Sequence, residues 1–336
     1  MSTATATADP TTVWDRVRGY RPPGRYLPVL ATLALFLGLF GAGSARYEAF
    51  GDPQTFLNLF VDNAHLIVLG VGMTFVILTG GIDLSVGSVV ALSTMIAAST
   101  LQLGWPAPLT MLAVLASSTL LGLAMGLMIY YFDVQPFIAT LAGMFLARGL
   151  CYLISIQSIP IRDDVFTGIA QASVTLPGGY YLAPSVLFAL AVVGVAAYVL
   201  HLTRFGRTVY AIGGSESSAL LMGLRVGPAK IGVYVISGLC SGLGGLLFAF
   251  YTLSGNSLHG IGMELDAIAA VVIGGTLLVG GRGLVLGTVL GVLVLGTILS
   301  LISFDGTLSS WWTKIVLGVL VLVFVVVQRL LTRRET

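Results

Sequence analysis

The stretch TGGIDLSVGS, residues 79–88, interrupts the longest apolar run of the sequence. On its two sides, residues 57–80 and 84–102 each come close to the ~20 mostly apolar residues that cross a bilayer as a helix. The interruption holds two adjacent glycines, which loosen a helix, together with the carboxylate of Asp83 and the hydroxyl of Ser85. Both flanking runs are continuously apolar instead of alternating, so they predict membrane helices and not the strands of a barrel.

The break between these runs has two compatible interpretations. It forms a tight turn between two spans, in which Asp83 or Ser85 caps the start of the next helix. It also suits a position beside a translocation path, because non-helical backbone within a bilayer is tolerated only where it faces protein or water.

The composition places the whole chain in the membrane. Of 336 residues, 57% are hydrophobic and 9% are charged, and the mean hydropathy is +1.00. A soluble domain carries about 25% charged residues and has no core large enough for so much apolar surface. The net charge of +2 is too even for a nucleic-acid-binding surface, and two cysteines make no disulfide framework.

The sequence predicts an all-α polytopic membrane protein with about ten transmembrane helices, some of them short or broken. The candidate spans are residues 27–43, 57–80, 84–102, 108–132, 137–158, 182–202, 231–253, 263–280, 283–303 and 311–331. The spans at 263–280 and 283–303 are crowded with glycines, which allow close helix packing in membranes. Together the ten spans define a transmembrane domain over residues 27–331.

The distribution of basic residues predicts that both termini are cytoplasmic. With an inside N-terminus, twelve of the sixteen Lys and Arg residues fall on the inside, as the positive-inside rule requires. Residues 1–26 then form a disordered, basic cytoplasmic tail, and residues 332–336 a short second tail. The first span follows an Arg cluster without a cleavage site, so we interpret it as an uncleaved anchor.

The sequence contains no recognisable catalytic or cofactor motif. It lacks the Gly-Lys-Ser/Thr of a phosphate-binding loop, the zinc motif HExxH and the nucleophile elbow Gly-x-Ser-x-Gly. We therefore expect a non-catalytic chain without a cofactor or metal of its own. If ATP and magnesium drive its function, a separate chain hydrolyses the ATP.

One cation, Arg148, falls inside a predicted span. An intramembrane charge is costly unless it is paired or faces water, so Arg148 predicts either a structural ion pair or a contact with substrate. The ion pair is the favoured reading, and the sequence does not choose among its candidate partners. These are Asp83, Asp133, Glu264 and Asp266.

Two segments outside the spans carry further information. Residues 203–230 form the only long inner loop between spans, and its centre has the signals of a short helix, with Ser215 as N-cap and Glu216 in the first turn. A solvated loop and a docking helix for a cytoplasmic partner both remain open. Residues 254–266 place several polar and acidic side chains near the outer face, which suits a hydroxyl-rich ligand but is also common in outer loops.

Four ordered motifs resemble the membrane permeases of bacterial ABC importers of the ribose, xylose and galactose class. They are GMTFVILTGGIDLSVGSVVAL (72–92), QPFIATLAGMFLARGL (135–150), TRFGRTVYAIGGSESSALLMGL (203–224) and ELDAIAAVVIGGTLLVGGRGLVLGT (264–288). The pair FYTLSGN (250–256) and FDGTLSSWWTKI (304–315) further resembles the galactofuranose importer's permease.

This resemblance implies a multi-pass permease subunit of the bacterial inner membrane, with lipid around it and no nucleic-acid partner. Two permease chains, identical or paralogous, form the pathway, a cytoplasmic ABC ATPase drives it, and a periplasmic binding protein delivers the sugar. The loop 203–230 corresponds to the segment that couples the permease to the ATPase. The residues that match its pattern are Arg204, Gly206, Arg207, Gly213, Gly214, Glu216 and Gly223.

The expected function is import of a monosaccharide, galactofuranose or a related pentose or hexose, by alternating access. We expect four polar residues near the path or its gates, namely Asp83, Ser85, Thr140 and Asn256. The alternatives are a secondary transporter or channel for a small polar solute, an intramembrane enzyme, and an ABC permease for branched-chain amino acids.

Overall fold

A computed structural model describes residues 26–306 and 311–332 of the chain. The predicted tails, residues 1–26 and 332–336, therefore lie almost entirely outside the described residues. So do residues 307–310 of the motif at 304–315 and the basic residues at both ends of the chain on which part of the orientation argument rests.

The described chain is helical, with two minimal sheets. Its α-helices are α1 (Leu27–Arg46), α2 (Pro53–Leu78), α3 (Val86–Gln102), α4 (Ala107–Tyr131), α5 (Pro136–Ile154), α6 (Asp164–Gln171), α7 (Pro184–Leu202), α8 (Arg204–Gly214), α9 (Glu216–Leu221), α10 (Val226–Thr252), α11 (Met263–Ile273), α12 (Val285–Asp305) and α13 (Trp311–Thr332). Antiparallel strand pairs join β1 (Ile159–Pro160) to β4 (Ser254–Gly255) and β2 (Val174–Thr175) to β3 (Tyr181–Leu182).

The prediction of an all-α polytopic membrane protein is confirmed. Seven helices within the described ranges are long and apolar enough to cross a bilayer, namely α1, α2, α4, α5, α7, α10 and α12. Proline occupies the first or second position of five of them, where its missing N–H costs no hydrogen bond. The 17-residue helix α3 is shorter but also apolar, and it coincides with the predicted span 84–102.

The predicted span at 263–280 is wrong in extent. Helix α11 has only 11 residues and ends at Ile273, where Gly274 and Gly275 follow and Gly275 adopts a φ of +92°. That left-handed conformation is open to glycine at no steric cost and stops the helix. The chain from there to Leu284 is irregular, and α12 begins at Val285.

The core is built around α2 and α10. Helix α2 packs against α10, α12, α7 and α11, and α10 also packs against α4 and α3. Most residues of α2, α10 and α12 are buried inside the chain, whereas α1, α4, α5 and α7 turn most of their surface outward. An apolar outer surface on peripheral helices is the arrangement that lipid requires.

Glycines allow a close helix contact between α4 and α10. A Cβ added at Gly122 would overlap the carbonyl oxygen of Tyr234, and one at Gly238 would overlap that of Ser118. Small residues at such crossings let two backbones approach and gain dispersion contacts without side chains in between. By contrast, Gly194 on the outer surface of α7 has open space where its Cβ would lie.

Gly122 and Gly194 allow a matched test of the packing. We expect Gly122→Ala to destabilise the protein by about 1–3 kcal/mol, because the backbones of α4 and α10 must separate. Gly194→Ala should stabilise it by up to about 1 kcal/mol through the better helix propensity of alanine. The measurement is the apparent Tm of each purified variant in detergent. A shift of the same sign and size in both variants would contradict the close approach.

Candidate functional site

The break predicted at residues 79–88 exists and separates α2 from α3. Helix α2 ends at Leu78, Gly80 adopts a φ of +79°, and α3 begins at Val86. Helix α3 does not pack back along α2; it packs instead on α10, α5 and α4. The predicted tight turn between the two spans is therefore an extended break over residues 79–85, which carries α3 away from α2 inside the protein.

Asp83 is the centre of a buried hydrogen-bond network in this break. Its Oδ1 accepts from the backbone N–H of Ser85 at 2.9 Å and from the Ser85 hydroxyl at 2.6 Å. Its Oδ2 accepts from the hydroxyl of Ser237, on α10, at 2.6 Å. All three side chains are inaccessible to solvent, so the three donors replace the water that the carboxylate loses on burial.

The network also corrects the predicted helix cap. Ser85 occupies the N-cap position of α3, but its hydroxyl donates to Asp83 and makes no capping hydrogen bond. A serine caps a helix only when its oxygen accepts from an N–H of the first turn. Asp83 takes the N–H of Ser85 itself, one residue before the helix begins.

Thr140 joins the same cluster from α5. Its Oγ1 lies 2.8 Å from the carbonyl oxygen of Pro136 and 3.2 Å from that of Ile82, within the break. The structure thus brings together three of the four predicted path residues, Asp83, Ser85 and Thr140. All three are buried and hydrogen-bonded, which makes them supports of the break in this conformation.

Asn256, the fourth predicted path residue, lies in a second irregular segment between α10 and α11. Leu253, with a φ of +47°, ends α10, and the Oδ1 of Asn256 accepts from the N–H of Leu258. The segment then runs along α3 in the opposite direction. Thr94 on α3 lies 3.3 Å from the Nδ1 of His259.

Arg148 holds this second segment in place. Its Nη1 donates to the carbonyl oxygens of Ser257 and His259, the latter at 2.8 Å. Within the described residues it makes no ion pair, so the prediction of a structural ion pair is wrong. The four predicted partners do not pair with it; Asp266 forms its ion pair with Lys314 of α13 instead, at 2.8 Å. The sequence alone does not show that the guanidinium of Arg148 donates hydrogen bonds to backbone carbonyl groups.

The inner loop forms two short helices, α8 and α9, and α9 is the one that the capping signals predict. The hydroxyl of Ser215 accepts from the N–H of Ser218, and Glu216 begins α9. The carboxylate of Glu216 binds Lys230 at 2.8 Å, which ties α9 to the first turn of α10. Gly223, with a φ of +74°, turns the chain back after α9.

The other motif residues of this loop have distinct roles. Gly213 and Gly214 are the last two residues of α8. Gly206 and Gly213 lie against backbone, whereas Gly214 and Gly223 have open space where a Cβ would lie. Arg204 and Arg207 are exposed. At the tip of α9 three apolar side chains point outward, and they are Leu220, Leu221 and Met222, with Leu221 90% exposed.

The inner loop touches the break directly. A Cβ at Gly213 would overlap the carbonyl oxygen of Leu78, the last residue of α2, and the N–H of Gly281 donates to that same oxygen at 2.9 Å. The end of α8, the end of α2 and the irregular segment before α12 therefore meet at one point. Asp83 lies only five residues further along the chain.

Within the described residues no group of three or more His, Cys, Asp or Glu side chains has a metal-binding arrangement. Sequence reasoning missed Ser237, which binds Asp83, and Gly87, which lies against the carbonyl oxygen of Gly260 in the second segment. A lone serine and a lone glycine in apolar helices carry no local signal. Only the packing of α10 and of the second segment against α3 places them at the site.

The family model described as "Branched-chain amino acid transport system / permease component" matches residues 55–325. The chain belongs to this family. Its members are non-catalytic membrane subunits, and the permease fold with seven long apolar helices identifies a multi-pass protein of the bacterial inner membrane.

The regions of similarity to known relatives extend over nearly the whole length of this permease. It is 45% identical over 309 residues to the inner membrane ABC transporter permease protein YjfF of Escherichia coli strain K12, covering 92% of this chain and 93% of that protein. It is 40% identical to the fructose import permease protein FruG of Bifidobacterium longum, covering 98% and 97%. The ribose import permease protein RbsC of Bacillus subtilis is 39% identical, covering 90% and 94%. No solved structure matches the chain.

The Asp83 network allows a graded test of stability. We expect Asp83→Ala to lower the folded yield and the apparent Tm strongly, because it leaves three buried donors without an acceptor, at about 1–3 kcal/mol each. Ser237→Ala removes one donor and should cost about 1 kcal/mol. The exposed Asp164→Ala is the control. Equal effects of Asp83→Ala and Ser237→Ala on Tm would show that the carboxylate does not organise the break.

Proposed function

We propose that this chain is the membrane-spanning permease subunit of an ATP-driven ABC importer for a monosaccharide. The names of the relatives FruG and RbsC support a sugar as substrate. The residues at 250–256 and 304–315 support galactofuranose or a related pentose or hexose within that class. The chain has few charged residues, which suits a neutral, weakly held ligand that must be released on the other side of the membrane.

The observation that carries this proposal is the contact between the inner loop and the break. In the proposed orientation, with both termini inside, residues 203–230 face the cytoplasm and form the coupling loop. Its seven motif residues are two exposed cations, two glycines packed against backbone, two glycines in open space, and Glu216, whose carboxylate positions α9. The exposed apolar tip at Leu220–Met222 has the size and character of an anchor for a pocket on an ATPase.

This arrangement supports a mechanism of alternating access. A cytoplasmic ATPase that closes on ATP pulls on α8 and α9, and the contact of Gly213 with Leu78 passes the displacement to the end of α2. The break at Asp83 lets α3 respond separately from α2. A ligand or nucleotide shifts such an equilibrium only by its different affinity for the two states, which the coupling loop would supply.

The proposed assembly has four kinds of component. Two permease chains, identical or paralogous, line the path, a cytoplasmic ATPase uses ATP and magnesium, and a periplasmic sugar-binding protein captures the substrate. This chain contributes residues 27–331 as its membrane domain and holds no cofactor. Residues Asp83, Ser85, Thr140 and Asn256 then act near the path or its gates in at least one of the two states.

A second candidate substrate class comes from the description of the family, which names branched-chain amino acids. The relatives named for fructose and ribose cover most of this chain, and this favours the sugar. A secondary transporter is the remaining alternative.

Uptake by the purified complex in liposomes separates these three functions. We expect ATP-dependent uptake of one labelled sugar from a panel of galactofuranose, ribose, fructose and allose, with the binding protein present, and no uptake of leucine. A protonophore should leave the rate unchanged, because ATP hydrolysis supplies the energy. Leucine uptake would indicate the amino-acid class, and uptake that survives loss of the ATPase but stops with the protonophore would indicate a secondary transporter.

The role of Glu216 is tested by a charge swap. We expect Glu216→Lys to abolish uptake and co-purification of the ATPase, because it repels Lys230 and releases α9. Adding Lys230→Glu should restore both by re-forming the ion pair with opposite polarity. If Glu216→Lys leaves both ATPase binding and uptake unchanged, the coupling assignment is wrong.

The apolar tip of α9 has its own test. We expect Leu221→Asp to reduce co-purification of the ATPase by about tenfold or more, since a buried charge in the contact costs over 1.4 kcal/mol. The side chain is 90% exposed, so the fold should tolerate the change. Leu103→Asp, at a 77% exposed leucine at the other end of the molecule, is the matched control and should retain the ATPase.

A further inference from the structure

The two irregular segments meet beside one carboxylate, that of Glu264. It lies in the first turn of α11, directly after the second segment. A Cβ added at Gly87, in the first turn of α3, would overlap the Oε2 of Glu264 and the carbonyl oxygen of Gly260. The absence of a side chain at Gly87 therefore leaves room for this carboxylate next to the start of α3.

Glu264 lies well inside the bilayer. The 15 residues from Gly87 to the end of α3 at Gln102 rise about 22 Å, and the nine residues from Glu264 to the end of α11 at Ile273 rise about 14 Å. These two helices extend away from Glu264 in opposite directions. The hydrocarbon core is about 30 Å thick, so Glu264 lies in its interior and not at either surface.

No neighbouring residue in the described part of the chain forms an ion pair or a hydrogen bond with the carboxylate of Glu264, and the side chain of Glu264 is only half-buried. The neighbouring acid, Asp266, binds Lys314, and the nearby cation, Arg148, is occupied by two backbone carbonyls. The helix dipole favours an acid in the first turn, but that alone does not make up for lost hydration at this depth.

A partly exposed, unpaired carboxylate at mid-membrane depth cannot face lipid, and neither can the irregular backbone of residues 256–262 beside it. Both must face water or a partner chain. Gly87 is buried against the Oε2 of Glu264 and the carbonyl oxygen of Gly260, so its lack of a side chain makes room for the carboxylate itself, and a ligand would reach the carboxylate from its exposed side. An unpaired carboxylate accepts hydrogen bonds from hydroxyl groups at nearly twice the strength of a neutral acceptor.

We propose that Glu264 lines the translocation path at mid-membrane depth and accepts hydrogen bonds from the hydroxyl groups of the passing sugar. The proposal rests on the proposed function and adds to it the residue that selects a polyhydroxylated ligand. It differs from the buried Asp83, which has its donors within the protein and holds the break.

The first experiment measures uptake by the full complex in liposomes, using the sugar that the panel identifies. Glu264→Gln should lower kcat/KM for uptake about tenfold, the loss expected for a hydrogen bond to a charged group. Glu264→Asp should keep more activity than Glu264→Gln. The apparent Tm should stay close to the wild-type value, because the carboxylate has no partner among the described residues. Asp266→Asn, which removes the neighbouring carboxylate, is the control and should stay within about twofold of the wild type.

Deoxy derivatives of the same sugar separate recognition from a structural role. In the wild type, removal of the hydroxyl that Glu264 binds should lower uptake, and in Glu264→Gln the same removal should have a smaller effect. This coupling between variant and derivative is absent if the residue only supports the fold. Equal losses for every derivative in both proteins, or wild-type uptake by Glu264→Gln, would overturn the proposal.

Thiol labelling tests the exposure of the site without relying on transport. The native cysteines, Cys151 and Cys240, are both buried, so the natural chain is a suitable background. A charged, membrane-impermeant methanethiosulfonate should label Glu264→Cys in the complex, detected by the mass of this chain, and saturating sugar should slow the reaction. Val271→Cys, at a fully buried position of the same helix, should not react.

Absence of labelling at Glu264→Cys in a folded complex would overturn the proposal. Failure of the proposed function gives a different result, in which the wild-type complex imports no sugar in response to ATP. When the wild type imports sugar and Glu264→Gln matches it, only the role of Glu264 is excluded.

Discussion

The structure depends on one constraint, that backbone polar groups inside a bilayer must find partners within the protein. Long helices meet it over most of the chain, because each N–H bonds within its own helix. The two irregular segments meet it with side chains: Asp83 takes the N–H of Ser85, and Arg148 takes the carbonyls of Ser257 and His259. Each break therefore has one charged residue whose bonds replace those of the missing helix.

The same constraint explains where the charges of this chain lie. Charged side chains are scarce, and two of them, Asp83 and Arg148, bind backbone groups of the irregular segments, whereas Asp266 pairs with Lys314. Glu264 differs from all of these, since its carboxylate has no partner among the described residues. The charges that hold the two irregular segments are therefore distinct from the one that we propose lines the path. Close helix contacts through Gly122 and Gly238 keep the surrounding scaffold rigid while these segments stay irregular.

Much of this architecture is predictable from local sequence. Continuous apolar runs define the helices, prolines mark where five of them start, and the signals around Ser215 identify the short helix in the inner loop. The polar interruption at 79–88 predicts a break. These features follow from the bilayer thickness and from hydrogen bonds between residues near in sequence. The sequence predicts too long a helix at α11, because an apolar glycine-rich stretch does not show whether its glycines adopt the helical or the left-handed backbone conformation.

The class of the protein, most of its helical spans and the positions of the break and the inner loop can be predicted from local sequence. The contacts of the polar residues depend on the tertiary structure. Ser237 lies 154 residues from Asp83, and Arg148 lies more than 100 from the carbonyls it binds. Such pairings depend on which helices pack together, and a bilayer favours every apolar helix alike whatever its neighbours. The partners of buried polar groups are therefore a property of the packed chain and not of any local stretch of it.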